Sequence, residues 1–248
     1  MKTNSSINKT YLAELQKKLA QKVIIPRHNL GYYPKQNDII FSLDVHYMKD
    51  KAYIALDVRK WKGRIVGTYV GTANVEIPYV PQFFCFREGP LLLEMLKAAQ
   101  KRLSLQPKLI IVDGHGIAHP RRFGVACWIG VNTGIPSIGC AKETLVRYNE
   151  EIDKKKGNYL FIKDKNEIIG AVLVTQDNTK PVFVSSGHRV SLKTSIEVIL
   201  NLSSRFRISE PIRRADQSAK AYAKGMTLEG VTFWGEIMNP KFCRRLSD

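Results

Sequence analysis

Four acidic residues stand apart from the other acids by their surroundings. Asp44 interrupts an apolar run over residues 39–45, and Asp113 directly follows the wholly apolar Leu109-Ile110-Ile111-Val112. Glu88 lies three and four residues before Leu91 and Leu92, and Asp216 lies four after Ile212 and three before Ala219. These spacings set both on the apolar faces of helices. Strand-end acids matter because open α/β sheets take their ligands beyond the carboxyl ends of the strands. Each acid also has a plainer reading. A strand-end Asp can open a turn and Glu88 can cap its helix, while Asp216 can pair with Arg213 or Lys220. Brought together, four carboxylates repel one another unless a cation neutralises them. Hard oxygen donors in that number suit Mg2+ or Mn2+, not zinc. In a basic chain this points to phosphodiester hydrolysis, in which metal polarises the phosphate and lowers the pKa of an attacking water.

The elements that must position these acids follow from periodicity. Leu12, Leu15, Leu19 and Val23 form one stripe of an amphipathic helix that Pro26 stops. Residues 39–45, 52–58 and 64–75 read as a three-strand antiparallel meander. A helix over about 88–103 turns Leu92, Leu96, Ala99 and Leu103 inward, and 108–112 reads as a strand buried on both faces. A helix over about 120–133 and a strand over 135–139 follow, so that part of the sheet is parallel. The charged stretch 150–156 reads as a solvated turn, 159–162 with 168–175 as a hairpin, and 182–185 as a short strand. Helices over about 191–202 and 211–224 end the pattern. One α/β domain spanning 1–248, with a mixed central sheet, is the simplest reading.

Composition bounds the partners. The chain has 248 residues, 44% of them hydrophobic, which excludes a disordered or fibrous chain. Its 39 Lys and Arg against 22 Asp and Glu leave a formal charge of +17, which suits a polyanion such as nucleic acid or an acidic membrane surface. No segment approaches the roughly 20 apolar residues of a membrane span, and residues 1–10 are too polar for a secretory signal. Cys85, Cys127, Cys140 and Cys243 have neither CxxC nor zinc-ribbon spacing. A cytoplasmic protein without structural zinc is expected.

Several motifs then become recognisable together. They are Leu43-Asp44-Val45-His46-Tyr47, Pro78-Tyr79-Val80-Pro81, Phe86-Arg87-Glu88-Gly89-Pro90 and the run from Val112 to Arg121, Val-Asp-Gly-His-Gly-Ile-Ala-His-Pro-Arg. Gly124-Val125-Ala126-Cys127, Ile138-Gly139-Cys140-Ala141-Lys142, the run Ser186 to Ser191 and the run Glu210 to Asp216 complete the set. In order and spacing they resemble the endonuclease V family, from about Ile40 to Lys220.

That resemblance implies a ribonuclease H-like fold. It also implies cleavage near a deaminated base, typically hypoxanthine, at the second phosphodiester on its 3′ side. The products carry a 3′-hydroxyl and a 5′-phosphate, and Mg2+ or Mn2+ is required. By motif position Asp44, Glu88 and Asp113 resemble the metal-binding acids, and Asp216 matches a further active-site position that is Asp or His among members. Lys142 matches the lysine near the scissile phosphate, where an ammonium would stabilise developing charge. Tyr79 resembles the tip of the family's wedge, stiffened by its two prolines. There the family commonly has Ile where this chain has Val80, and a small residue where it has Gln82; relatives often carry Ala at Gly89. Gly114, Gly116 and Gly139 are expected either to wall the base pocket, where glycine lets backbone approach a ligand, or to serve tight turns alone, and His119 is expected to be a phosphate or water contact. Arg121, Arg122 and Arg189 are expected phosphate contacts, whereas His115 reads as a turn residue, not a ligand. The implied partner is inosine-containing nucleic acid, DNA favoured over RNA, and the expected working unit is a monomer.

Overall fold

The structure is a computed structural model describing residues 8–27, 30–75, 77–148 and 151–237. Cys243 and the C-terminal tail lie outside the described residues. In chain order the elements are α1 (Lys9–Ala20), β1 (Ile39–Met48), β2 (Lys51–Lys60), β3 (Ile65–Asn74), α2 (Phe84–Leu103), β4 (Leu109–Asp113) and α3 (Val125–Thr133). They continue with β5 (Ser137–Ala141), β6 (Tyr159–Asp164), β7 (Glu167–Leu173), β8 (Val182–His188), α4 (Leu192–Asn201), α5 (Glu210–Ala223) and β9 (Val231–Glu236).

These strands form a nine-stranded sheet in the order β6-β7-β8-β5-β4-β1-β2-β3-β9. β1, β2 and β3 make the expected antiparallel meander. β4 runs parallel to β1, and β5 parallel to β4, while β8, β7 and β6 return antiparallel. The mixed α/β sheet implied by the element order is therefore present. Phe41 and Leu43 of β1 enter a core built with α2 and α3, whereas Ile40 enters a second core with α4 and α5. Apolar cover on both faces is why β1 and β4 read as nearly continuous hydrophobic runs.

Register is what places the site. Leu43 pairs with Val112 across the parallel β1 and β4. Asp44 and Asp113 are the next residues on each strand, so they emerge side by side, and strand neighbours lie about 4.8 Å apart. Asp113 pairs in turn with Cys140, and Lys142, two residues further on, returns to the same side of the sheet.

Two helix starts and one strand depart from the sequence reading. α2 begins at Phe84 rather than near Glu88, because Cys85 and Phe86 are already buried in its first turn. α3 begins at Val125, not near 120, since Arg122 takes a left-handed φ of 57° and its N–H closes a turn on the His119 carbonyl. β9 was not foreseen. It extends the sheet beside β3, with Trp234 stacked on Tyr69 at 4.5 Å.

Candidate active site

Beyond the carboxyl ends of β4 and β5 lies a cavity of about 430 Å³. Asp44, Glu88, Asp113, Lys142 and Asp216 all line it, as do Tyr79 and His119. Residues from β1, α2, β4, α5 and the loop after β5 thus meet in one place. Asp44 and Asp113 arrive by strand register, and Asp216 faces them from α5, which packs across β1 and β2. Glu88 reaches the cavity from α2, a helix on the opposite face of the sheet.

The charges of these groups are strongly interdependent. Burial, then the nearby Asp113 carboxylate, pushes Asp44 well above the usual carboxylate range. Glu88 is raised by burial and then by Asp44 and Asp113. Asp113 is also raised by burial, though Lys142 opposes the shift. Asp216 differs: burial acts against its charge, but the Lys220 ammonium, 2.8 Å away, and Lys142 hold it below its ordinary value. Lys142 donates to Asp113 Oδ2 and lies 3.7 Å from Asp216 Oδ1. Burial disfavours its charge, yet these carboxylates carry its pKa above the normal lysine range. As the side chains stand, the ammonium groups of Lys142 and Lys220 supply the cluster's positive charge. Among the described residues no three His, Cys, Asp or Glu side chains already form a ligating group. The donor chemistry fits a hard divalent cation all the same: buried, anionic, all-oxygen, and in mutual repulsion that a cation would relieve.

The other residues singled out in the sequence divide sharply. Tyr79 is 63% exposed and projects at the cavity mouth, edge-on to Phe84 at 6.2 Å. Gly114 lines the cavity. Gly116 and Gly139 are not among the residues that line this cavity. A Cβ on Gly116 would fall 2.0 Å from the Ser186 carbonyl oxygen, and one on Gly139 would fall 2.5 Å from the Gly116 nitrogen. Their lack of side chains serves backbone-on-backbone packing between the Asp113 turn, β5 and β8.

The arginines also differ from the expectation. Arg121 donates to Gln16 Oε1 and to the Gln82 carbonyl, at 2.6 and 2.7 Å, over the Phe83 ring. Arg122 is paired with Asp164 and Glu167, each at 2.7 Å. Both guanidiniums are thus committed within the chain instead of presented to a phosphate. Arg189 sits at the other end of the sheet. It follows His188, which pairs with Ser137 at the start of β5, and it lines a separate cavity with Tyr32 and Pro136. His119 lines the main cavity, but its Nε2 is 3.0 Å from the Gln82 carbonyl. His115, set aside in the sequence, lines the cavity as well. Burial lowers its pKa to about 4, and its Nδ1 has no hydrogen-bond partner among the described residues. Phe84, Val125 and Leu145 add apolar wall that spacing alone could not reveal.

This arrangement is shared with known proteins. The family model for Endonuclease V matches residues 17–217. The chain belongs to the endonuclease V family. An endonuclease V of Dictyoglomus turgidum is 42% identical over 221 residues, covering 89% of this chain and 92% of that protein. The crystal structure of an endonuclease V from Streptomyces avermitilis superposes with a TM-score of 0.77 at 34% identity, covering 88% of this chain and 93% of that one. A Ciona intestinalis endonuclease V, crystallised with a 23mer DNA containing an inosine followed by a ribo-adenosine, gives a TM-score of 0.77 at 25% identity. The coverage there is 87% of this chain and 97% of that one. As a family member the chain is a phosphodiester-cleaving enzyme, and endonuclease V chemistry implies a divalent metal.

Proposed function

We propose that this endonuclease V recognises hypoxanthine in a nucleic-acid strand, DNA by preference, and hydrolyses the second phosphodiester bond on its 3′ side, leaving a 3′-hydroxyl and a 5′-phosphate. The role is repair of deaminated purines. One observation carries the reading: the acidic cluster with Lys142 and the projecting Tyr79 share a single cavity. A device that opens a base stack thus stands beside groups suited to a phosphodiester.

Asp44, Glu88 and Asp113 would hold Mg2+, with Mn2+ as a substitute, and Asp216 would complete the acidic side. When bound, the metal polarises the scissile phosphate and lowers the pKa of the attacking water. Asp44, inside β1, and Asp113, at the end of β4, fix the oxygens on rigid strands, which limits their freedom to turn away. Lys142, charged by its neighbours, donates toward negative charge developing on the phosphate. Tyr79 enters the stack as the damaged base leaves, an extrusion that costs a few kcal/mol and least where pairing is already weak. Phe84, Val125 and Leu145 then give the base an apolar wall, with Gly114 permitting close backbone approach. His115, neutral near pH 7, lines the same cavity and keeps its unpartnered Nδ1 buried.

Buried, unpaired Cys85, Cys127 and Cys140 are consistent with a reducing, cytoplasmic setting. No helix among the described residues is long and apolar enough to cross a membrane. The ribo-adenosine in the Ciona complex makes RNA a necessary arm of any test. A panel of matched strands carrying inosine, uracil or normal bases, as DNA and as RNA, should give one cut near inosine, stronger in DNA. Tyr79→Ala should reduce the preference for inosine over guanosine by about tenfold, consistent with the value of stacking contacts. An unchanged preference in that variant would contradict the wedge assignment.

A further inference from the structure

The strongest unassigned feature is a polar network beneath the Tyr79 loop. Gln16, on α1, has no exposed surface. Its Nε2 donates to the Phe123 carbonyl at 2.6 Å and approaches the Gln82 carbonyl at 3.4 Å, and its Oε1 accepts from Arg121 Nε at 2.6 Å. Arg121 continues the chain of contacts. Its Nη2 donates to the Gln82 carbonyl at 2.7 Å and its Nη1 to Gln82 Oε1 at 3.2 Å. His119 Nδ1 accepts from the Arg121 N–H at 3.1 Å, so its neutral ring donates through Nε2 to that same carbonyl at 3.0 Å. Three side chains, from α1 and from the loop before α3, therefore converge on one backbone oxygen.

That oxygen belongs to an unusual residue. Gln82 has φ of 68°, a left-handed conformation that non-glycine residues rarely hold without outside support. It directly follows Pro78-Tyr79-Val80-Pro81, and the Phe83 N–H bonds back to the Val80 carbonyl at 3.0 Å. With both prolines limiting φ, the direction of the loop depends on the joint at Gln82. The joint is exposed to solvent, Gln16 and His119 beneath it are buried, and Arg121 is partly exposed between them.

We propose that Gln16, Arg121 and His119 are positioning residues for base recognition, clamping Gln82 in its left-handed conformation so that Tyr79 is aimed into the substrate. This rests on the reading of Tyr79 as the wedge. It makes α1 part of the recognition apparatus, although Gln16 lies just outside the segment matched by the family model, 17–217. It also explains why Arg121 and His119 are turned away from solvent phosphates. The clamp holds a conformation that glycine would take unaided, and this gives the proposal a distinctive signature.

The test uses the full-length enzyme and matched DNA strands carrying inosine or guanosine, measuring kcat and KM for each. Gln16→Leu removes the amide and should lower the inosine preference about tenfold, chiefly through KM, because Gln82 then relaxes from its strained conformation. Adding Gln82→Gly to that variant should restore most of the preference. A purely stabilising role for Gln16 predicts no such recovery. Gln82→Pro offers a check that leaves the core untouched. Proline cannot adopt a positive φ, and its missing N–H matters little, since the Gln82 N–H has no backbone acceptor among the described residues. That variant should lose the preference while still melting cooperatively, destabilised by no more than the about 1–3 kcal/mol that unpaired buried donors cost. A Gln82→Pro enzyme that selects inosine normally would overturn the proposal, as would a Gln16→Leu defect that Gln82→Gly leaves unrepaired. Wild-type enzyme indifferent to inosine would instead overturn the functional reading on which the clamp depends.

Discussion

Asp44 and Glu88 occupy places where a carboxylate is hard to ionise, and their raised pKa values have a consequence for stability. A carboxylate whose folded pKa lies above its unfolded value favours the fold at low pH. That contribution is lost as pH rises through the folded pKa. Asn at position 44 escapes the loss because it cannot ionise. In chelator, Asp44→Asn should therefore melt higher than the wild type, and the gap should widen from about pH 5 to about pH 8. Cleavage should fall by at least about a hundredfold. Thermal scans at the two pH values check the sign, and a gap that narrows as pH rises would contradict the assigned burial. At this scale the acids were legible in the sequence because position alone marks them: a charge at the end of an apolar strand, or on an apolar helix face. The arginines were not. Arg121 finds Gln16 and Arg122 finds Glu167, partners 105 and 45 residues away, and nothing local distinguishes such a guanidinium from one that waits for phosphate.

Glu88 is held by α2, and α2 is held by its packing on α3. Gly89 sits at that contact with the Trp128 ring directly over it, since a Cβ there would lie 2.3 Å from Trp128 Cδ1. Trp128 is buried and packs edge-on against Phe86 at 5.3 Å. Gly89→Ala should therefore destabilise the protein by about 1–3 kcal/mol, the usual cost of overfilling a packed core. A second change, Trp128→Leu, should remove the conflict, so the double variant should melt closer to Trp128→Leu alone than additivity predicts. Strict additivity in a double-mutant cycle would contradict the contact. The order of helices and strands could be read from periodicity, and the meander and the parallel pair that flank Asp44 were among the clearest. β9 could not. Its partner β3 lies some 160 residues earlier in the chain, and its cohesion comes from Trp234 on Tyr69 and Phe233 on Tyr222, not from an alternating pattern.

Across the whole molecule, the formal charge of +17 surrounds an acidic centre. On the proposed function the basic chain attracts the polyanionic strand, and a cation in the acidic cavity would offset the repulsion between its carboxylates and the phosphates. Binding to a nucleic-acid strand should weaken steeply with salt, by about a thousandfold between about 50 and 200 mM if six phosphates are neutralised. A flat dependence in a titration with unmodified DNA would contradict that division of labour. The central claim is that the converging acids and the projecting tyrosine form one machine. It is tested most directly by incubating the enzyme with an end-labelled strand carrying a single inosine, alongside a guanosine control, with Mg2+ and with chelator. The account predicts one product, cut at the second phosphodiester 3′ to inosine, in the presence of Mg2+ alone. Cutting that survives chelation, or equal cutting of the guanosine strand, would contradict it.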